Sequence, residues 1–269
     1  METARETDRP FVAGMYDYYL GGTANSAADR EAVERIKMVL PEVAEAAWAN
    51  RGFLQRAVTR MAGEWGIRQF IDLGAGLPTQ RPTHEVVAEQ RPDRRVLYVD
   101  IDPQVIERGN QMLADAAGAT VIQADLRDLD RILDNPATRK LIDRTEPVGI
   151  LMVAVTQFVP DCDDPWGLVR RYLDAVPSGS YLAISAPTGD LQADRITTLV
   201  QDVYATTPTP GIVRDLADFS RFLEGLEIVP PYPEAESQVV HVGLWGAEDP
   251  ALADDDGSRW FYAAVARKP

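Results

Sequence analysis

Cysteine is almost missing from this chain. The single Cys162 excludes an intrachain disulfide, and one cysteine with two histidines cannot build a common zinc site unless carboxylates supply ligands. Long apolar runs are missing as well. No stretch approaches the roughly eighteen consecutive apolar residues of a membrane span, and the opening METARETDRP carries charge where a secretion signal needs an apolar segment. A soluble, cytoplasmic protein with no membrane partner is the expectation. Positive charge is scarce: 27 Lys and Arg stand against 42 Asp and Glu, a formal charge of −15, and the arginines are dispersed. That balance repels phosphate backbones and removes the term that dominates nucleic-acid affinity, so nucleic acid is excluded as a partner at this stage.

What remains is ordinary globular composition, 45% hydrophobic and 26% charged over 269 residues, enough for a packed interior in one large domain with an appendage. Residues 26–40 place Val33, Ile36 and Leu40 at helical spacing behind Ser26, a candidate N-cap. From Pro41 to about Gly66 an apolar stripe runs through Val43, Ala46, Ala47, Leu54, Ala57, Val58 and Met61, interrupted only by Asn50. After Arg68 the texture changes to short apolar runs, FIDLG, RVLYVDID, ATVIQAD, VGILMVAV and SYLAISAP, separated by helical spacing, which implies parallel βαβ units. Residues 147–155 are apolar on both faces, as in a central strand. Helices are expected over 164–176 and 191–204. EIVPPY and RWFYAAVAR read as two final strands around an acidic loop, 239–258, in which Leu244 and Trp245 suggest packing.

The predicted fold is α/β: a doubly wound, mainly parallel Rossmann-like sheet of about seven strands with an antiparallel C-terminal ending and an N-terminal helical extension. Residues 1–66 form the extension and 67–269 the main domain.

The sharpest motif is Asp72-Leu73-Gly74-Ala75-Gly76 at the end of the first strand, where glycines let the backbone approach a ligand closely. A tight strand-to-helix turn is the plainer reading. The next strand ends at Asp100, 24 residues after Gly76, close to the spacing at which a carboxylate receives ribose hydroxyls. Asp100 could instead cap the following helix, although Asp102 ahead of Pro103 is the better cap. Asp125 in QADLRD ends the third strand; an adenine contact and a helix cap are both open to it. A dinucleotide site would want a third glycine where the chain has Leu77-Pro78-Thr79, and Asp72 suits a cationic sulfonium and ammonium better than a diphosphate.

With these residues the chain resembles the class I S-adenosylmethionine-dependent methyltransferases over residues 68–187. RPFVAGMYDYYLGGTANSAADREAVERI, LPEVAEAAWANRGFLQRAV, IRQFIDLGAGLPTQ and VIQADLRD further resemble a bacterial methyltransferase-like family over nearly the whole chain. Ser26, where the family pattern has an aromatic residue, and Arg81-Pro82 depart from it. The resemblance implies S-adenosylmethionine as cofactor, held by Asp72, Gly74, Ala75, Gly76, Asp100, Ile101, Asp125 and Leu126. It implies an N-terminal lid through Tyr16, Tyr19 and Gly21, with Gln157 and Phe158 lining the cofactor or substrate. The aromatic residues of MYDYYLGG could equally be core anchors before a double-glycine stop. Asn50 and Arg51 could reach Asp17 or the cofactor carboxylate, or join the N-terminal helices. No catalytic residue or metal ligand is identified; His84 reads as structural, and Asp161, Asp163 and Asp164 as a loop with a cap. The expected function is methyl transfer to a small molecule, with a non-catalytic S-adenosylmethionine-binding regulator or an NAD-dependent oxidoreductase as alternatives. A homodimer is left open.

Overall fold

The computed structural model describes residues 9–191, 195 and 211–269. Three helices precede the sheet: α1 (Val12–Tyr19), α2 (Ala27–Val39) and α3 (Val43–Gly63). Ser26 starts α2 with a reciprocal capping box: its hydroxyl accepts from the Asp29 N–H at 3.2 Å, and the Asp29 carboxylate accepts from the Ser26 N–H at 2.7 Å. The departure at Ser26 therefore supplies two orphan donors of the helix start with acceptors. The other Asp29 oxygen accepts from the Phe11 N–H at 2.8 Å, which ties the start of α1 to the start of α2.

The sheet is eight-stranded, ordered β3-β2-β1-β4-β5-β8-β6, with β7 also paired to β8. β1 (Gln69–Leu73), β2 (Arg95–Asp100), β3 (Ala119–Gln123), β4 (Val148–Val153) and β5 (Tyr181–Pro187) are parallel; β6 (Glu227–Ile228), β7 (Val240–His241) and β8 (Phe261–Arg267) close it antiparallel. The strand EIVPPY shrinks to two residues because Pro230-Pro231 cannot donate to a ladder. β7, unforeseen, lies in the acidic loop, where Trp245 is wholly buried and Arg56 from α3 donates to the carbonyls of Val242, Gly243 and Trp245. The helix expected over 191–204 lies largely outside the described residues.

Crossover helices cover both faces. α3 packs Phe53, Leu54, Ala57, Val58 and Met61 on one face with α4 (Thr83–Gln90); the other face holds Trp166, Leu168, Val169 and Tyr172 of the helix Pro165–Asp174. β4 lies between these two cores, so its near-continuous apolar run follows from burial on both sides. Strand order reverses between β1 and β4, and at that switch point the chain crosses over to opposite faces and leaves a crevice at the carboxyl ends.

The capping box gives a simple test. Ser26→Ala is expected to lower the unfolding free energy by about 1 kcal/mol with an unchanged urea m-value. A loss near zero would show that the paired bonds at the start of α2 contribute nothing net.

Candidate functional site

β1 ends at Leu73, and the chain turns at Gly74 with φ +64°, a conformation that favours glycine. The N–H groups of Gly74 and Ala75 donate to the Val99 carbonyl at 2.8 and 3.2 Å, which stitches the turn to the end of β2. A Cβ on Gly74 would stand 2.1 Å from Val155 Cγ2, so the turn also presses on the segment after β4. Asp100 completes the arrangement. Its Oδ2 accepts from the Gly76 N–H at 2.9 Å and its Oδ1 from the Asp102 N–H at 3.0 Å. Burial raises its carboxyl, against the pull of those two donors. The helix cap is Asp102, which accepts from the Gln104 N–H at 2.8 Å ahead of α5 (Pro103–Met112). Ile101 is exposed on the rim.

Asp125 is held by a neighbouring side chain. Arg127 grips it bidentately, Nε to Oδ1 at 3.0 Å and Nη2 to Oδ2 at 2.6 Å, and reaches Asp163 with Nη1 at 2.6 Å. These bonds hold the Asp125 carboxyl below the usual carboxylate range. Asp128, not Asp125, caps the next helix. Asp161 pairs with Arg214 and Asp164 caps the helix Pro165–Asp174, so the three loop aspartates each have separate partners. Among the described residues no cluster of three or more metal-ligating side chains occurs.

Asp72 lies behind the turn. Burial pushes its carboxyl up to about 6, opposed by a hydrogen bond from Thr83 Oγ1 at 2.7 Å and by the Arg51 charge, while Asp100 adds a like charge. His84 is a packing partner there: its N–H donates to the Tyr98 hydroxyl at 2.8 Å and its Nδ1 lies 2.8 Å from the same oxygen.

The N-terminal helices supply the opposite wall. Tyr16 and Tyr19 line the cavity; Gly21 and Gly22 do not and instead end α1. Gly21 takes φ +71°, and a Cβ on Gly22 would collide with the Asp17 carboxylate. Asp17, buried, accepts from Asn25 Nδ2 and from Thr79 Oγ1, both at 2.9 Å. The Thr79 bond fastens α1 to the glycine loop, a role that sequence reasoning missed although the motif contained the residue. Asn50 does not reach Asp17. It donates to the Tyr16 hydroxyl at 3.0 Å and accepts from Ser185 Oγ at 2.6 Å, joining α1, α3 and β5. In the departing stretch, Gln80 and Arg81 both take positive φ, Arg81 pairs with Glu89, and Gln55 donates to both carbonyls.

These parts enclose a cavity of about 470 Å³ at the carboxyl ends of the strands, within the roughly 300–1,000 Å³ of small-molecule sites. Asp72, Gly74–Gly76, Asp100, Ile101, Asp125 and Leu126 line one side; Tyr16, Tyr19, Asn50, Arg51, Gln157, Phe158 and Phe261 line the other. Arg51 is 6% exposed and its Nε has no hydrogen-bond partner; its guanidinium lies over the Tyr16 ring at 5.6 Å.

A family model described as S-adenosyl methyltransferase matches residues 2–269. The chain belongs to that family. S-adenosylmethionine is its cofactor and methyl transfer its activity, which sets aside the nicotinamide alternative. A DUF574-family protein from Streptomyces avermitilis matches at 38% identity and TM-score 0.90, covering 98% of this chain and 99% of that one. A protein from Thermobifida fusca, provisionally assigned as a methyltransferase, matches at 34% identity and TM-score 0.88 over 98% and 96%. The N-methyltransferase NodS from Bradyrhizobium japonicum, in complex with S-adenosyl-L-homocysteine, shares the fold at 12% identity and TM-score 0.51 over 80% and 85%. No protein of curated description matches the chain. No described helix is long and apolar enough to cross a membrane.

The raised Asp72 carboxyl has a thermodynamic consequence. The folded state holds this proton more tightly than the unfolded chain, so without cofactor stability falls as pH rises from about 4 to about 6 and then levels. Asp72→Asn is expected to remove that slope and raise stability near neutral pH by up to about 3 kcal/mol. Urea titrations of both proteins near pH 4 and pH 7 check it; equal differences at the two pH values would contradict the assignment.

Proposed function

We propose that the chain transfers the S-adenosylmethionine methyl group to a small-molecule acceptor, and that the cofactor lies across the switch-point crevice. The observation that carries this reading is the buried Arg51 guanidinium on the cavity wall, which has a cation–π neighbour but no anionic hydrogen-bond partner among the described residues. An arginine stays charged in a protein, so a buried one without an acceptor is satisfied by an anion of the ligand. The α-carboxylate of S-adenosylmethionine supplies one. Asp72, close enough to feel both Arg51 and Asp100, faces the cationic ammonium and sulfonium. Asp100, held by two backbone donors, keeps lone pairs for the ribose hydroxyls. Ile101 and Leu126 flank the nucleoside side, and Asp125, its oxygens already engaged by Arg127, sits at the adenine edge.

When bound, S-adenosylmethionine supplies an electrophilic methyl carbon on a sulfonium. The protein's part is to position both reactants and exclude water, and near-attack placement can supply roughly 7–11 kcal/mol of barrier reduction. Within the N-terminal extension, α1 closes the cavity over the main domain: Tyr16 and Tyr19 form its inner surface and the Asp17–Thr79 bond its latch. The size of the cavity and the formal charge of −15 support a small acceptor over a nucleic acid.

Calorimetric titration with S-adenosylmethionine, S-adenosylhomocysteine and NAD tests the site. Selective binding of the two adenosyl-sulfur ligands is expected, abolished by Asp100→Ala and by Gly74→Val in folded protein. Arg51→Leu should weaken S-adenosylhomocysteine by about 10–100-fold while leaving methylthioadenosine, which lacks the carboxylate, unchanged. Preference for NAD, or an Arg51→Leu protein that loses both ligands equally, would sink the arrangement. Binding with no turnover across a broad acceptor panel would favour the regulatory alternative.

A further inference from the structure

Asp125 and Arg127 follow β3, the strand at one edge of the sheet, and both line the cavity. The carboxylate that reaches the cavity there is already occupied. Its Oδ1 accepts from the Arg127 backbone N–H at 2.9 Å and from Nε at 3.0 Å, and its Oδ2 accepts from Nε at 3.0 Å and from Nη2 at 2.6 Å. An ionised carboxylate offers about four lone-pair directions, so these contacts with Arg127 take them all.

The surrounding backbone holds the pair in place. The Arg127 N–H closes a tight turn on the Asp125 side chain, the Asp125 carbonyl accepts from the Asp128 N–H at 2.9 Å, and the Leu126 carbonyl between them accepts from the Tyr172 hydroxyl at 2.7 Å. Arg127 Nη1 continues to Asp163 Oδ2 at 2.6 Å, in the loop ahead of the helix Pro165–Asp174. A single half-exposed ion pair contributes little to stability. A forked guanidinium–carboxylate pair with a second carboxylate behind it is the arrangement that does contribute.

Resting on the cofactor placement proposed above, which sets the adenine edge at Asp125, we infer that Arg127 determines specificity at the 6-position of the purine: by filling the Asp125 carboxylate it withholds the acceptor that the adenine amino group would otherwise use. The site therefore holds the base without reading its amino group, and takes purine nucleosides altered at that carbon. The amino group is a neutral donor and brings one N–H to the carboxylate. Arg127 brings a fork of N–H groups and a full positive charge, so the amino group does not displace it. The Arg127→Met protein has the opposite property. Its backbone N–H still engages Oδ1, while both donors to Oδ2 belong to the lost side chain, so Oδ2 becomes free to accept.

The test is calorimetric titration of the full chain with S-adenosylhomocysteine and with its 6-deamino analogue, in which hydrogen replaces the amino group and every ring nitrogen is kept. The wild type is expected to bind the two within about threefold of each other, whereas Arg127→Met should prefer S-adenosylhomocysteine by about tenfold, the effect of one hydrogen bond to a charged acceptor. Adding Asp125→Ala to Arg127→Met should return the ratio to its wild-type value, which ties the gain to that carboxylate. Because the readout is a ratio, a general loosening of the loop moves both ligands together and does not imitate the result. If Arg127→Met fails to fold, Arg127→Leu serves. A wild type that prefers the amino compound by more than about threefold, an Arg127→Met protein with an unchanged ratio, or a preference that survives Asp125→Ala overturns the inference and leaves the cofactor reading intact. A wild type that binds neither compound overturns both.

Discussion

The turn at Gly74 is the constraint on which the site's geometry rests. Its backbone is fixed from three directions: the Val99 carbonyl takes its N–H, the Asp100 carboxylate takes the Gly76 N–H two residues on, and Val155 occupies the space that a side chain would need. β1, β2 and the segment after β4 therefore converge at one point, which is where the strand order reverses. A larger residue at 74 would not merely crowd a ligand. It would part β1 from the Val155 segment and move the loop that carries Gln157 and Phe158. Sheet topology supplies the crevice, and the close approach of backbone to backbone sets its width.

The electrostatics of the crevice run against stability. Asp72 and Asp100 are like charges in a buried setting, and Arg51 offsets Asp72 at a distance without a hydrogen bond to it. Arrangements of this type are retained where a ligand completes them, since a buried group left without its counterpart costs several times what an exposed one does. Arg56, also on α3, is the contrast. It is largely withdrawn from water too, yet it gives its donors to three backbone carbonyls and thereby folds the Val242–Trp245 segment onto the helix. Arg56 is spent on structure, whereas Arg51 keeps on the cavity wall an Nε donor without a partner.

The parallel core was legible in the sequence because local and global requirements agree there. Apolar runs buried on both faces, Asp102-Pro103 and Ser26 at helix starts, and Gly-rich turns at strand ends all have short-range causes. What escaped depends on partners far along the chain. β7 exists because β8 offers its outer edge at Tyr262 and Ala263, and nothing in VVHVG announces that pairing. The expected strand EIVPPY was cut by its own prolines, a local signal that the apolar pattern overrode. The Arg127 bridge escaped because only the fold brings Asp163 close enough for Arg127 to join it to Asp125. Asn50 was rightly singled out as a polar break in an apolar stripe, but its partners Tyr16 and Ser185 lie 34 and 135 residues away.

Asp17 shows how the N-terminal segment and the glycine loop can act as one unit. Its carboxylate takes Thr79 Oγ1 from the loop and Asn25 Nδ2 from the turn before α2, while the Asp17 carbonyl takes the Gly22 N–H at 2.9 Å. The double glycine is needed because the chain must reverse directly over that carboxylate, with no room for a Cβ at Gly22. A displacement of α1 would therefore break the Thr79 bond and uncover a buried carboxylate. Moving the wall and loosening the loop carry a common cost, the loss of the Asp17–Thr79 bond. The coupling needs no long-range pathway, since both elements share a single buried side chain.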